Sequence, residues 1–208
     1  QRDRVGLLLI DQSNETSLDV SLTTNYDSVR NACRTIQATA DPTVTSSLDA
    51  NISFASQQLQ PSGQGRAFAR KIIVLITDFN VTTSTTANAD IDAYIAQPGM
   101  RSGWFHNIMP PLGTTDPRYE PDLLTRYARN GALMAAHQQS MSNGVETYAV
   151  KVGFASSKIM MDALADFGGT ANTAKEAPSI TNNPSLYESR IKAVLADIID
   201  NPRGRLVQ

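Results

Sequence analysis

The chain has 208 residues, of which 41% are hydrophobic and 18% are charged, and this is enough to bury a sizeable core in one domain spanning residues 1–208. Its net charge is −2 and its basic residues are spread along the chain, so it lacks the electrostatic footprint of a protein that binds nucleic acid or an anionic membrane. No apolar run approaches the roughly 20 residues that cross a bilayer, and a single cysteine excludes an internal disulfide and a multi-cysteine zinc site.

The first elements of the chain are predicted to be two strands and a helix. Residues 4–11 form a short apolar run, typical of a strand covered on both faces, and residues 18–22 alternate like a half-exposed strand. Thr24 or Asn25 then caps a helix with one apolar stripe, on which Cys33 lies. We therefore expect the Cys33 thiol to be a core group and not a reactive one.

The next elements lead to the most informative strand of the sequence. A polar loop at residues 41–47 supplies the cap of a second helix, which begins at Leu48. Residues 72–77 form an apolar run without alternation, which is the pattern of a central parallel strand. Asp78 stands at the carboxyl end of this strand, where the ligands of parallel sheets gather.

An insertion separates this strand from the remaining elements. Hydrophobic periodicity is weak from about residue 81 to about residue 120, and this stretch is too long for a simple loop. A long helix is predicted to begin at Pro121 and to end at Asn143 and Gly144, a pair with helix-terminating chemistry.

The last part of the chain continues the alternation of strands and helices. Residues 146–152 predict a strand, a short helix then ends before Gly168 and Gly169, and a final helix begins at Pro184 after a short strand. Strands that alternate with helices indicate an α/β fold: a doubly wound, mostly parallel sheet with helices on both faces.

Enzymatic signatures are missing from the sequence. It has no phosphate loop, dinucleotide fingerprint, serine elbow or paired-histidine zinc motif. His106 and His137 are its two histidines, and we expect His137 to have a structural role on its helix. A hydrolase that uses Asp78, Asp116 or His106 would need a nucleophile and a base that the sequence does not supply. We therefore expect a binding protein and not an enzyme.

Five blocks of the chain resemble, in the same order, the von Willebrand factor type A domain family. They include the apolar strands and the glycine turn described above, and lie at residues 4–7, 22–29, 70–78, 143–153 and 161–169. The resemblance covers nearly the whole chain apart from the insertion at about 81–120. It implies a Rossmann-type sheet that serves as a protein-binding module.

The resemblance also implies a metal-ion-dependent adhesion site. The family takes an aspartate after its fourth strand, which corresponds to Asp78, and a threonine from a preceding loop, for which Thr43 is the nearest candidate and Thr45 the next. Hard oxygen ligands with a single carboxylate suit Mg²⁺. The alternative is that the hydroxyls are helix caps and the aspartate is a turn residue.

The resemblance places the family's first strand outside this sequence. The block at residues 4–7 is similar to the second strand, and in the family's sheet the first strand lies between the second and the fourth. Its loss would leave interior backbone groups unpaired, each at a cost of about 1–3 kcal/mol. We therefore expect a strand from an earlier part of the polypeptide, or from another chain, to complete the sheet. Direct pairing of residues 4–11 with residues 71–77 would contradict this expectation.

The expected function is that of a protein-binding or adhesion module of a bacterial surface, pilus-associated or tight-adherence protein, located at the cell surface. Within the insertion, Trp104, Phe105 and Met109 are candidate contacts for a protein partner. The alternative for these side chains is a lid that packs over the domain's own core. The alternative function is an intracellular type A module that couples an ATPase or assembly machine to its substrate.

Overall fold

The computed structural model is a mixed α/β structure in the residues that it describes. These residues are 3–10, 16–36, 47–77, 81–100, 105, 119–151, 158–170, 175–176, 188–189, 192–193, 195–196 and 200. The strands are β1 (Val5–Ile10), β2 (Thr16–Thr23), β3 (Lys71–Thr77), β4 (Val145–Lys151) and β5 (Lys175–Glu176). The helices are α1 (Tyr26–Thr35), α2 (Leu48–Gln58), α3 (Asn88–Ile95), α4 (Leu123–Asn143) and α5 (Lys158–Phe167).

The described strands form two small sheets. β1 and β2 pair in the antiparallel sense, from Val5 opposite Thr23 to Ile10 opposite Thr16. β4 lies between β3 and β5 and is parallel to both. The predicted parallel arrangement is therefore present in β3, β4 and β5. Within the described residues β1 does not pair with β3, so the expected single sheet is found as two parts.

A charged group fixes the register of β3 against β4 at their amino ends. Arg70 donates to both carboxylate oxygens of Glu146, at 3.2 and 2.6 Å, and to the hydroxyl of Tyr148 at 2.8 Å. The hydrogen bond to Glu146, together with its charge, raises the pKa of Arg70 above its ordinary value. Because Glu146 is buried, the pair selects one alignment of the two strands.

The hydrophobic core is built around α4. Its inward side carries small apolar residues that let neighbouring elements approach closely, and α2, α3, α5 and β4 all contact it. The helix begins at the cap Asp122, whose side chain accepts from the Thr125 amide at 2.7 Å. It ends at Gly144, whose φ of 62° is left-handed, as the sequence predicted. None of the described helices is long and apolar enough to cross a membrane.

The layer formed by β1, β2 and α1 is less buried than the sequence predicted. α1 contacts β1 and β2 but has no buried residue, and Cys33 is exposed. The prediction of a core thiol was wrong because its apolar stripe has too little of the described chain packed over it. On β3, which was predicted to be a central parallel strand, Val74 and Ile76 are 37% and 46% exposed.

Candidate functional site

The candidate site lies at the carboxyl end of β3, where two chain segments meet. Ser47, just before α2, forms an isolated parallel bridge with Thr83, which follows β3 by a few residues. The bridge brings the start of α2 beside the described segment that begins at Val81. The carboxyl ends of parallel strands are where ligands of α/β sheets bind.

The residues predicted as metal ligands are close in sequence to the described residues at this meeting point. Asp78, Thr43 and Thr45 lie outside the described residues. Their described neighbours are Thr77, which is buried at the end of β3, and Ser47, which is buried before α2. The three predicted ligands thus precede or follow segments that the structure brings together, while their own positions remain a prediction.

A buried carboxylate joins the two segments. Asp49, in the first turn of α2, is only 2% exposed. It accepts hydrogen bonds from the hydroxyl of Ser47 at 2.8 Å and from that of Ser84 at 2.7 Å. Thr85 and Thr86 each donate twice more, through the amide at 3.0 and 2.9 Å and through the hydroxyl at 3.2 and 2.7 Å.

These donors keep Asp49 ionised. Burial raises the pKa of its carboxyl group, but hydrogen bonds from the side chains of Ser84, Thr86 and Ser47 and from the Thr86 amide lower it more. The net result is a pKa that falls from 3.8 to about 2. A carboxylate has about four lone-pair sites, so Asp49 is saturated by protein donors and is not a free ligand.

The segment that donates to Asp49 is held on its other side by α4. A Cβ atom added to Gly131 would lie 2.6 Å from the Ser84 hydroxyl oxygen and 3.4 Å from Cδ1 of Ile91. Gly131 therefore allows residue 84 to approach the helix closely. Ser84 is confined between the first turn of α2 and the middle of α4.

The oxygen atoms near this point suit a hard cation. The hydroxyl oxygens of Thr82 and Thr83 are buried, and neither has a hydrogen-bond partner in the part of the chain that the structure describes. Buried hydroxyls without a partner among the described residues fit the oxygen chemistry of Mg²⁺. The described residues contain no group of three or more His, Cys, Asp or Glu side chains that could hold a metal.

Of the three residues of the insertion that were predicted to contact a partner, the structure describes one, Phe105. Phe105 is 1% exposed, and its ring packs against Phe167 of α5 with centroids 5.0 Å apart. A ring buried in this way is not an exposed contact, so the structure corrects the partner-binding assignment of Phe105 and agrees with the packing alternative. Trp104 and Met109 lie outside the described residues.

His137 has structural contacts on α4. The Tyr94 hydroxyl lies 2.5 Å from its Nδ1 atom, and the imidazole packs edge-on against Phe167 with centroids 5.5 Å apart. Burial raises the pKa of Tyr94. These contacts join α3 and α5 to α4, which agrees with the structural role expected for this histidine. His106 is outside the described residues.

Comparison of the chain with protein-family models, curated proteins and solved structures gives no match.

Sequence reasoning missed Asp49 as the centre of this cluster. Two signals were present: an acidic residue in the first turn of a helix, and the hydroxyl-rich run at residues 82–86. Neither signal showed that the two would meet, because 33 or more positions separate them along the chain and only the packing of α2 beside β3 and α4 unites them.

Proposed function

We propose that this chain is a protein-binding module of the von Willebrand factor type A kind, completed by a strand that lies between β1 and β3. The observation that carries the proposal is that both strands pair on one side only, within the described residues, while apolar side chains on them are exposed. Such strand edges accept an extended segment of polypeptide through backbone hydrogen bonds.

The placement of β1 relative to β3 supports this proposal. Arg4, just before β1, donates to the backbone oxygen of Gln64 at 2.7 Å, and Gln64 lies shortly before β3. At the other end of β1, Ile10 packs against the hydrophobic core to which Leu75 belongs. β1 therefore lies alongside the body that contains β3, although the two strands do not pair in the described residues.

The exposed side chains indicate the chemistry of the completing segment. Val74 and Ile76 are two residues apart and lie on the same face of β3. Parallel strands are stable when both faces are covered. A completing strand with apolar residues would pair the open edges, and a helix joined to it would cover this face. The segment comes from an earlier part of the polypeptide or from another chain.

The adhesion function implied by the resemblance belongs to the same proposal. At the carboxyl end of β3, Asp78, Thr43 and Thr45 would hold Mg²⁺, which supplies a coordination position for an oxygen ligand of the partner. The unpartnered hydroxyls of Thr82 and Thr83 support an oxygen-rich environment there. The proposed protein is a bacterial surface, pilus-associated or tight-adherence component, with Trp104 and Met109 of the insertion as further partner contacts.

Amide hydrogen exchange along β3 tests the open edge. Every second residue of a parallel strand directs its N–H and C=O groups to one neighbour, and the intervening residues direct theirs to the other. In the isolated chain, the β3 amides that face β4 should exchange slowly and the intervening amides quickly. Val150 and Lys151 of β4 are the internal control, because in the described residues these two pair with β3 on one side and with β5 on the other. Equal protection of both sets of β3 amides in the monomeric chain would contradict the proposal.

A further inference from the structure

We propose that Asp49 is a positioning residue for the binding edge at the carboxyl end of β3, an inference that rests on the proposed function. Asp49 holds the segment at residues 82–86 against the start of α2, and thereby fixes the orphan hydroxyls of Thr82 and Thr83 at this edge. It acts through these neighbours and does not contact the bound ion or partner itself.

The direction of the hydrogen bonds supports a positioning role. Each described group that hydrogen-bonds to the Asp49 carboxylate is a donor, and the donors come from both sides of the junction: Ser47 before α2, and residues 84–86 after β3. One buried anion thus adds to the isolated backbone bridge between Ser47 and Thr83 in holding the two irregular segments together. Its lone pairs are occupied, which excludes it as a ligand.

The surrounding packing makes this junction specific. Ser84 cannot retreat from Asp49 because Gly131 and α4 lie directly behind it. Val81, which precedes the hydroxyl run, is buried in the core. Residues 82 and 83 are therefore held between a core residue on one side and the Asp49 contacts on the other. Loss of the Asp49 charge releases one of these two restraints and leaves the other in place.

The test uses Asp49→Asn, which keeps the size of the side chain but removes its charge and one acceptor oxygen. Thr86→Val is a milder second variant that removes one donor and retains the Thr86 amide contact. The control is Asp90→Asn, because Asp90 also lies in the first turn of a helix but is exposed. Each protein is titrated with MgCl₂ by calorimetry, and amide exchange is measured at residues 82–86.

For Asp49→Asn we expect exchange at residues 82–86 to become about tenfold faster or more, and the Mg²⁺ affinity to fall by a similar factor. Thr86→Val should give smaller changes of the same sign, and the control should match the original protein. A role in stability alone predicts a lower melting temperature with an unchanged Mg²⁺ affinity at 25 °C, and that result would overturn the inference.

Failure of the proposed function gives a different result. If the original chain takes up no Mg²⁺, the proposed metal contact is wrong, and exchange then decides the positioning role by itself. Faster exchange at Thr82 and Thr83 in Asp49→Asn, with normal exchange in β4, would retain that role. Unchanged exchange at these two residues would refute it.

Discussion

At the scale of single residues, the most informative side chain is Asp49, a carboxylate whose oxygens accept hydrogen bonds from several protein groups. Asp49 is buried without a cationic partner in the part of the chain that the structure describes, and hydroxyl and amide groups take the place of a counter-ion. Hydrogen bonds to a charged form favour that form, which explains why the carboxyl pKa falls in spite of burial. The carboxylate therefore stabilises the fold only while it is ionised.

This linkage predicts an acid-dependent loss of stability. Because the folded-state pKa is about 2 and the ordinary value is 3.8, the contribution of Asp49 is present above about pH 4 and is lost as the pH falls towards 2. The shift corresponds to about 2 kcal/mol. Urea unfolding at several pH values should show that the advantage of the original protein over Asp49→Asn shrinks by about this amount in that window.

The control for this experiment is Asp90→Asn, at an exposed position in the first turn of α3. The free energy of unfolding of the Asp90→Asn variant should stay within about 0.5 kcal/mol of that of the original protein at neutral pH. An advantage of the original protein over Asp49→Asn that is the same at pH 2 and at pH 7 would contradict the explanation.

At the scale of elements, the alignment of β3 with β4 depends on a few specific contacts. Arg70 and Glu146 meet at the amino ends of the two strands, and Tyr148 adds a second partner for the guanidinium group. Most side chains of β3 are similar apolar groups, so a shift of this strand along β4 would exchange one apolar contact for another. A bidentate, partly buried ion pair forms in only one alignment of the two strands and therefore disfavours such a shift.

Removal of the Glu146 charge should therefore destabilise the protein. For Glu146→Gln we expect a loss of about 1–3 kcal/mol, because Arg70 would keep its charge in a partly buried site with a weaker acceptor. The measurement is the free energy of unfolding in urea. Asp27→Asn, which breaks the exposed pair of Asp27 with Arg30, is the control and should change it by less than about 0.5 kcal/mol. Equal effects of the two substitutions would show that the Arg70 pair has no special role.

The insertion is anchored to the core through Phe105. Its ring is buried against Phe167, so Phe105→Ala should cost about 3–5 kcal/mol through lost burial and the cavity that remains. Phe68→Ala is the matched control, since Phe68 is fully exposed, and it should leave the melting temperature nearly unchanged. An unaltered melting temperature for Phe105→Ala would return this residue to the set of candidate partner contacts.

At the scale of the whole molecule, the described residues contain apolar strands with more open surface than a finished α/β sheet has. The tightly packed part surrounds α4, while β1 and α1 contain no fully buried residue. In the proposed architecture, the edges of β1 and β3 that are unpaired among the described residues, and the exposed side chains of Val74 and Ile76, lie where a further strand and helix would pack. One additional strand with its helix would account for all of them.

An open apolar edge also predicts self-association of the isolated chain. Ile76→Lys should reduce association at high protein concentration, measured by analytical ultracentrifugation, because a lysine on the exposed face of β3 disfavours edge-to-edge pairing. Leu124→Lys makes a similar exchange at an exposed site on α4 and should have no such effect. Equal reduction by both substitutions would indicate a general effect of added charge.

The sequence alone predicted the type of most elements, because the signals for them are local. Apolar runs, caps and helix-ending glycines identified β1, β3, β4, α4 and α5 to within a few residues. Gly144 is the clearest case, since a left-handed residue after a helix favours glycine whatever surrounds it. The amphipathic stripe of α1 was also identified correctly, but its burial was not, because burial depends on which other segment covers the stripe.

The tertiary structure decided everything that required distant residues to meet. The convergence of Ser47 and residues 84–86 on Asp49 and the burial of Phe105 against Phe167 leave no local mark in the sequence. Hydrophobic periodicity predicts which side chains of an element favour burial, but it does not predict which other element will cover them. The saturated anion and the open strand edges, from which the proposed binding function is argued, arise only when the elements pack.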